Sequence, residues 1–579
     1  MDRVATGPVR SAWFWVGVSA LVGCVSVAFM AVWRDALMAP YDPRVVAIAR
    51  EFFARGEFFA VPTFSGMAFL EKPFLVYGLI AKSFQLAGGP NIIAARLVIA
   101  VLAVVWLVAA YGTTRLVAGP RTAVLATCLL ATSNLFRSLA NRISIDGGLA
   151  ACLAISTYFL CRALSNPDKK IRWEPWVLAV LAAGLAFMAK GLFGTFLFVA
   201  PLIAYSLWYR DRRVLKRLFH PVSLLLLLAP VALWGWMLYR TGGMTYFAEA
   251  FLNNSLGRFA SFRFEVADIA ALPYGDVGDV GKDNEPWDWW FYITRLGSLA
   301  GPALLVLPFV LARFGRRDAI RAGPRARLVG LCLCQALTPL LVLSFSGQKG
   351  VHHLGSVSTA FALAGALWLD ARLPKHERSG GLSRMALIAL MTLAPLALAA
   401  SLLGLLDLYT HIVVAFVMVV ALLLVAGVLL IRERRWKGLI AGFLVSIMTV
   451  TILASSRGRY EDEDLQLLDY PEHVTAFVGE TPMGFFGAGE SALAIFSWAG
   501  ERDITWIRNW EALTEYLLAD GPRVVVLRQR KLDNMPEELA SCSVIDRSEE
   551  GSKAFVVLGN PGAVAQLTSG AASTTQPAR

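Results

Sequence analysis

Charge is scarce in this sequence. Lys, Arg, Asp and Glu make up 17% of its 579 residues, against about 25% in an ordinary soluble domain. Hydrophobic residues reach 57% and the mean hydropathy is +0.58, which excludes a chain built only of soluble domains. Cysteine is also sparse and unpatterned. Of the seven cysteines, Cys24, Cys128, Cys152, Cys161, Cys332 and Cys334 lie in or beside apolar runs, and only Cys542 lies in a polar region. That distribution excludes a disulfide framework and a CxxC metal pair, and leaves the thiols as small buried hydrophobes. No small-x-small cleavage site follows the first apolar run, Ala12 to Trp33, and the run is longer than the roughly 7–15 residues of a signal-peptide core. It reads as an uncleaved first membrane span. The acidic stretch Asp276, Asp279, Asp283 and Glu285 lacks the spacing of a calcium-binding EF-hand loop and reads as solvated loop. No internal repeat is found.

Long apolar runs are abundant. A helix crosses a bilayer with about 20 mostly apolar residues. Such runs lie at 12–33, 93–117, 121–139, 147–165, 174–189, 191–209, 220–239, 292–313, 327–346, 353–371, 385–406, 410–431 and 437–455. The chain therefore reads as a mainly α-helical polytopic membrane protein of about thirteen spans. Orientation follows from Lys and Arg in short loops. With the N-terminus inside, the inner loops carry Arg162, Lys169, Lys170 and Arg172, then Arg210, Arg212, Arg213, Lys216 and Arg217, then Arg313, Arg316, Arg317, Arg321, Arg325 and Arg327. Two further inner loops hold Arg372, Lys375, Arg378 and Arg384, then Arg432, Arg434, Arg435 and Lys437. The formal charge of +12 is explained by this topology, and nucleic acid is not an expected partner. Two long loops fall outside, 35–91 and 240–290. The region 456–560 also falls outside; its strand-like runs Arg523 to Leu527 and Ala554 to Leu558, with a helical run Asn509 to Ala519, suggest a small α/β domain. Residues 561–579 are small and polar and are expected to be disordered.

The outer loops carry the chemistry. After Asp42-Pro43, residues Val45, Ile48, Ala49, Phe52 and Phe53 share a helical face opposite Arg44, Arg50, Glu51 and Arg55, the pattern of an interfacial amphipathic helix. Asp42 fits an N-cap followed by proline. Glu71 and Lys72 stand just before an apolar stretch, either as an anchor or with Lys72 set to meet an anionic lipid phosphate. Arg142 and Asp146 precede the fourth span, where Asp146 fits an N-cap and Arg142 its partner. Lys190 is a lone charge between two apolar helices, a costly and often functional placement. His352 and His353 could bind metal or phosphate, or simply cap. The aromatic run Trp287, Trp289, Trp290, Phe291 and Tyr292 is an interfacial belt. Asp42, Lys72, Asp146, Lys190, Arg258 and His353 all fall on one side of the membrane, which suits chemistry on a lipid headgroup. A transporter keeps its ionisable groups nearer the midplane; of mid-span polar residues, Asn134 and Gln335 are examples.

These loops, in this order, resemble the polytopic glycosyltransferases of the GT-C class, and among them the bacterial aminoarabinose transferase and protein mannosyltransferase superfamily. The likeness spans roughly residues 12–370. The family's acidic pair, arginine and "IAR" helix match the segment at Asp42, and its "EKPP" matches Glu71-Lys72-Pro73-Phe74. Its Arg-x-x-x-Asp element matches Arg142 to Asp146, "TKG" matches Ala189-Lys190-Gly191, "GRF" matches Gly257-Arg258-Phe259, and a Lys…His loop matches Lys349 and His353. Aligned without gaps, the family's Asp falls on Tyr41 and its Glu on Asp42; Asn254 and Ser255 stand where the family often has a histidine. The resemblance implies inverting transfer of a sugar from a polyprenyl-phosphate donor to a lipid, glycan or protein acceptor, outside a bacterial cytoplasmic membrane. It implies Asp42 as base, Asp146 as second acid, and Lys72, Lys190, Arg258, Arg142 and His353 on the donor phosphate. No cofactor is required by it; a divalent cation is left open, with Glu71 as its ligand. The competing readings are a lipid-linked sugar flippase and a non-catalytic membrane scaffold.

Overall fold

The computed structural model describes residues 42–164, 171–257, 289–314, 323–346, 349–372, 466–487, 489–502, 504–548 and 554–573, with 259 and part of 18–37 besides. The apolar runs at 385–406, 410–431 and 437–455, and most of 12–33, lie outside the described residues.

The chain is mainly helical. After α1 (Asp42–Arg55) and α2 (Leu75–Ala87) come α3 (Ile92–Ala118), α4 (Pro120–Ala131), α5 (Asn134–Asn141), α6 (Ile145–Leu164), α7 (Trp173–Lys190) and α8 (Leu192–Tyr209). Next follow α9 (Arg212–Leu218), α10 (Pro221–Ala248), a π-helix over Glu249–Gly257, and the short helices α11 (Phe291–Thr294), α12 (Leu296–Ala300) and α13 (Leu307–Phe314). Two long helices complete this part, α14 (Pro324–Ser344) and α15 (Gly355–Arg372). Among the described residues seven helices are long and apolar enough to cross a membrane, or eight if the bent pair α4–α5 is one span.

Polar punctuation sets the helix ends. Asn91 starts α3 by accepting from the Ala94 N–H at 3.1 Å, the usual work of an N-cap. Two expected spans differ from straight helices. The run at 121–139 is bent by 70° because Ser133 is extended and its Oγ accepts from the Phe136 N–H at 3.2 Å, starting a new helix. The run at 292–313 is broken at Gly301, which has φ +52° and is followed by Pro302, whose ring removes a backbone donor.

Several polar side chains tie helices of the bundle together. The Trp106 indole donates to Thr359 Oγ1 at 2.6 Å, and the Trp176 indole to Ser223 Oγ at 2.9 Å. Gln335 Nε2 donates to Thr157 Oγ1 at 2.8 Å, and Asn134 Nδ2 to Ser298 Oγ at 3.3 Å. Both polar residues noticed in the spans therefore tie helices together, the partly buried Gln335 and the exposed Asn134 alike.

The segment from α1 to α2 is folded. Between α1 and α2 a hairpin pairs β1 (Thr63–Phe64) with β2 (Met67–Ala68); Ser65 and Gly66 both have positive φ, the turn that matches strand twist. Towards the C-terminus a five-stranded sheet has the order β4-β3-β5-β7-β6. Its strands are β3 (Met483–Phe486), β4 (Thr505–Ile507), β5 (Val524–Arg528), β6 (Ser543–Arg547) and β7 (Phe555–Gly559). The first three in that order are parallel and the remaining pairs antiparallel. β7 is buried along its whole length, which explains its unbroken apolar run. Helices α16 (Gln466–Val478), α17 (Glu490–Ala499) and α18 (Trp510–Leu518) accompany the sheet. The tail expected to be disordered from 561 instead begins with α19 (Pro561–Ser573). Its Ala563 is buried in the core, and its N–H donates to Asn560 Oδ1 at 3.0 Å; composition does not reveal that packing.

The α7–α8 turn depends on Gly194. A Cβ there would lie 2.2 Å from the Ala186 carbonyl oxygen, backbone that cannot step aside. Gly194→Ala is expected to destabilise the protein by roughly 1–3 kcal/mol, the cost of overpacking, while Gly89→Ala, with open space around it, changes nothing. Thermal unfolding of both purified variants checks this; equal melting temperatures would remove the close-approach argument.

Candidate functional site

Helix ends assemble the site. Asp146 lies in the first turn of α6 and Lys190 in the last turn of α7. Each charge suits its end of the helix dipole, and the two ends meet. Lys190 Nζ donates to Asp146 Oδ1, with both side chains only 5% exposed. The same ammonium meets His353 Nδ1, and that nitrogen is 3.6 Å from Asp146 Oδ1. His353 is the more open member, at 27% exposure. Its ring packs edge-on against Phe193 at 5.4 Å and against His352 at 3.9 Å. Gly350 makes room for the histidines, because a Cβ there would stand 2.8 Å from the His352 ring. The loop is pinned by the Gly350 N–H, which donates to the Tyr292 hydroxyl at 3.3 Å.

More cations surround this knot. Lys72 and Arg142 lie close enough to act electrostatically on His353 and His352 respectively. Lys72 is 4.0 Å from Glu71. Lys349 is buried, and its Nζ has no hydrogen-bond partner among the described residues. An enclosed ammonium without an acceptor is costly and is satisfied by an anion.

Asp42 is placed differently from the expectation of an open base. It is fully buried at the start of α1. Its Oδ2 accepts from Arg96 Nη2 at 3.2 Å and its Oδ1 from the Ile143 N–H at 2.7 Å. It fastens the first outer loop to α3 and to the segment leading into Asp146. Glu71 is not part of the group that could hold a metal. That group is Asp146, His352 and His353, whose ligand atoms lie within 4.8 Å of one another. Lys190 competes with a cation there, because its ammonium already sits on Asp146 and His353. Arg258 and Tyr41 lie outside the described residues. Sequence reasoning passed over Arg96, although a lone arginine near the start of an apolar helix is a signal of the kind that singled out Lys190. Arg50 was read only as a polar position on the amphipathic helix, and Glu490 drew no attention.

Comparison with known proteins follows this geometry. Residues 71–236 match the family model described as dolichyl-phosphate-mannose-protein mannosyltransferase. The undecaprenyl phosphate-alpha-4-amino-4-deoxy-L-arabinose arabinosyl transferase 1 of Pseudomonas fluorescens (strain Pf0-1) is 27% identical over 368 residues, 62% of this chain and 60% of the relative. The corresponding Pseudomonas aeruginosa PAO1 transferase is 26% identical, over 62% of this chain and 61% of the relative. The chain thus spans about three fifths of the length of these curated relatives. The crystal structure of ArnT from Cupriavidus metallidurans bound to undecaprenyl phosphate shares the fold, with a TM-score of 0.67 at 17% identity, covering 96% of this chain and 98% of that one. The chain is thus similar in residues 71–236 to the mannosyltransferase family model, similar over about three fifths of its length to aminoarabinose transferases, and shares the fold of the solved ArnT structure.

Proposed function

We propose that this protein moves a sugar from a polyprenyl-phosphate donor to a lipid, glycan or protein acceptor at the outer face of the cytoplasmic membrane. The observation that carries the reading is the Asp146–Lys190–His353 knot together with the enclosed Lys349, whose Nζ has no hydrogen-bond partner among the described residues. The acceptor oxygen attacks the anomeric carbon and the bond to the phosphate oxygen breaks, inverting the centre. Negative charge grows on the departing lipid phosphate, where fixed cations are most effective. Lys72, Lys190, Arg142 and Lys349 supply them, with Arg258 assigned there by its motif. The acceptor's proton goes to the acidic side of the knot. Asp146 orients His353, the more open group, and Asp42 holds the loop through Arg96 and Ile143. A cation bound by Asp146, His352 and His353 would supply Lewis acidity to a phosphate or hydroxyl oxygen.

The topology that goes with this reading is thirteen spans in 1–455, outer loops at 35–91 and 240–290, and an external α/β domain over 456–560. The positive-inside pattern of the short loops supports it. A flippase would need free polar groups lining a path, yet Gln335 and Asn134 are committed to helix–helix bonds.

Four outcomes are expected. With a labelled polyprenyl-phosphate sugar, Asp146→Asn lowers turnover by about a hundredfold or more, the usual range for lost acid–base function, and lowers the melting temperature because the buried Lys190 loses its partner. Asp42→Asn loses activity together with thermal stability. Full transfer by both variants sinks the acid roles. Lys349→Met weakens undecaprenyl phosphate binding roughly tenfold, in keeping with a charge-assisted hydrogen bond; unaltered affinity removes Lys349 from the phosphate side. In intact spheroplasts an impermeant maleimide reacts with Glu57→Cys and Glu537→Cys but not with Arg212→Cys, and the reverse pattern overturns the orientation.

A further inference from the structure

The C-terminal sheet region contacts α1, the hairpin and α2. On α1, Arg44 Nη1 donates to Glu490 Oε2 of α17. Arg50 Nη2 donates to Ser497 Oγ at 2.6 Å and to the Arg502 carbonyl at 3.1 Å. On the hairpin, Phe64 meets Trp506 edge-on at 5.9 Å. On α2, Phe84 meets Trp498 at 6.4 Å. Between the hairpin and α2 runs Phe69-Leu70-Glu71-Lys72, the segment that carries Lys72.

Arg44 joins the two ends of this arrangement. Its guanidinium carbon lies 5.6 Å from the centre of the Phe69 ring. Burial works against its charge, but Glu71 and then Glu490 outweigh burial and raise its pKa above the ordinary arginine value. One guanidinium therefore serves a carboxylate of the loop and a carboxylate of the C-terminal region. Glu71 in turn lies 4.0 Å from Lys72. With Glu490 removed, Arg44 has Glu71 as its main carboxylate partner, and the Glu71–Lys72 pair loses its fixed setting.

We propose that Glu490 is a positioning residue of the transfer site, acting through Arg44 and Glu71 to set Lys72 where a lipid phosphate binds. The C-terminal region is then part of the working site. This inference rests on the donor assignment made above.

The test uses the full chain in lipid nanodiscs and undecaprenyl phosphate as the probe. Unaltered protein must bind it; absence of binding refutes the donor assignment itself. Given binding, Glu490→Gln raises the apparent Kd about tenfold, equivalent to about 1.4 kcal/mol, with the melting temperature unchanged. Glu490→Asp recovers most of the affinity, and the exposed Glu511→Gln leaves it alone. Combining Glu490→Gln with Arg44→Gln costs no more than the larger single effect, as for residues acting as one unit. The charge swap Arg44→Glu with Glu490→Arg restores docking but sets a carboxylate beside Glu71, so affinity stays low. With a labelled donor the loss falls on KM, with kcat little altered, as for binding shared by ground and transition states. Unchanged affinity in Glu490→Gln, additive losses, or recovery in the charge swap would each overturn the positioning role.

Discussion

The Asp146–Lys190 ion pair is the constraint on which the site is built. Two charges taken out of water cost several kcal/mol each, and only close pairing offsets that. The pair closes because α6 begins with the acid and α7 ends with the base, so two packed helices deliver opposite charges to one point. Gly194 lets the next helix leave at once, since a Cβ there would collide with the Ala186 carbonyl. His353 completes the knot from the segment before α15. The charge is thus fixed by backbone geometry, which suits groups that must meet a developing charge without rearranging.

Around this point the structure separates holding from chemistry. Asp42 is enclosed, with both oxygens engaged, and it joins the first outer loop to the bundle. Lys349 is enclosed too, but has no acceptor among the described residues. The first arrangement is complete in itself, whereas the second calls for an anion. The C-terminal sheet adds a roof, bonded to the loop through Arg44 and Arg50 and packed on it through Trp498 and Trp506. A loop so held presents Lys72 at a lower entropic cost than a free one.

The sequence by itself determined the membrane character and most of the helix positions, because hydropathy acts locally and leaves a readable period. It placed Asp146 and Lys190 at the ends of their helices, since caps and lone charges between apolar runs are local signals. The resemblance added Lys72, Arg142 and His353 to the same neighbourhood. Tertiary structure alone decided which partners they have. Asp42 looks like a helix cap in the sequence; its real partners are Arg96 and the Ile143 amide, 54 and 101 positions away. Glu71 stands in a metal-like motif position, yet its field falls on Arg44. Glu490 carries no local signal at all, because its partner lies 446 residues earlier. Such pairings arise only when packing brings distant elements within hydrogen-bond reach, and no window of sequence contains both members.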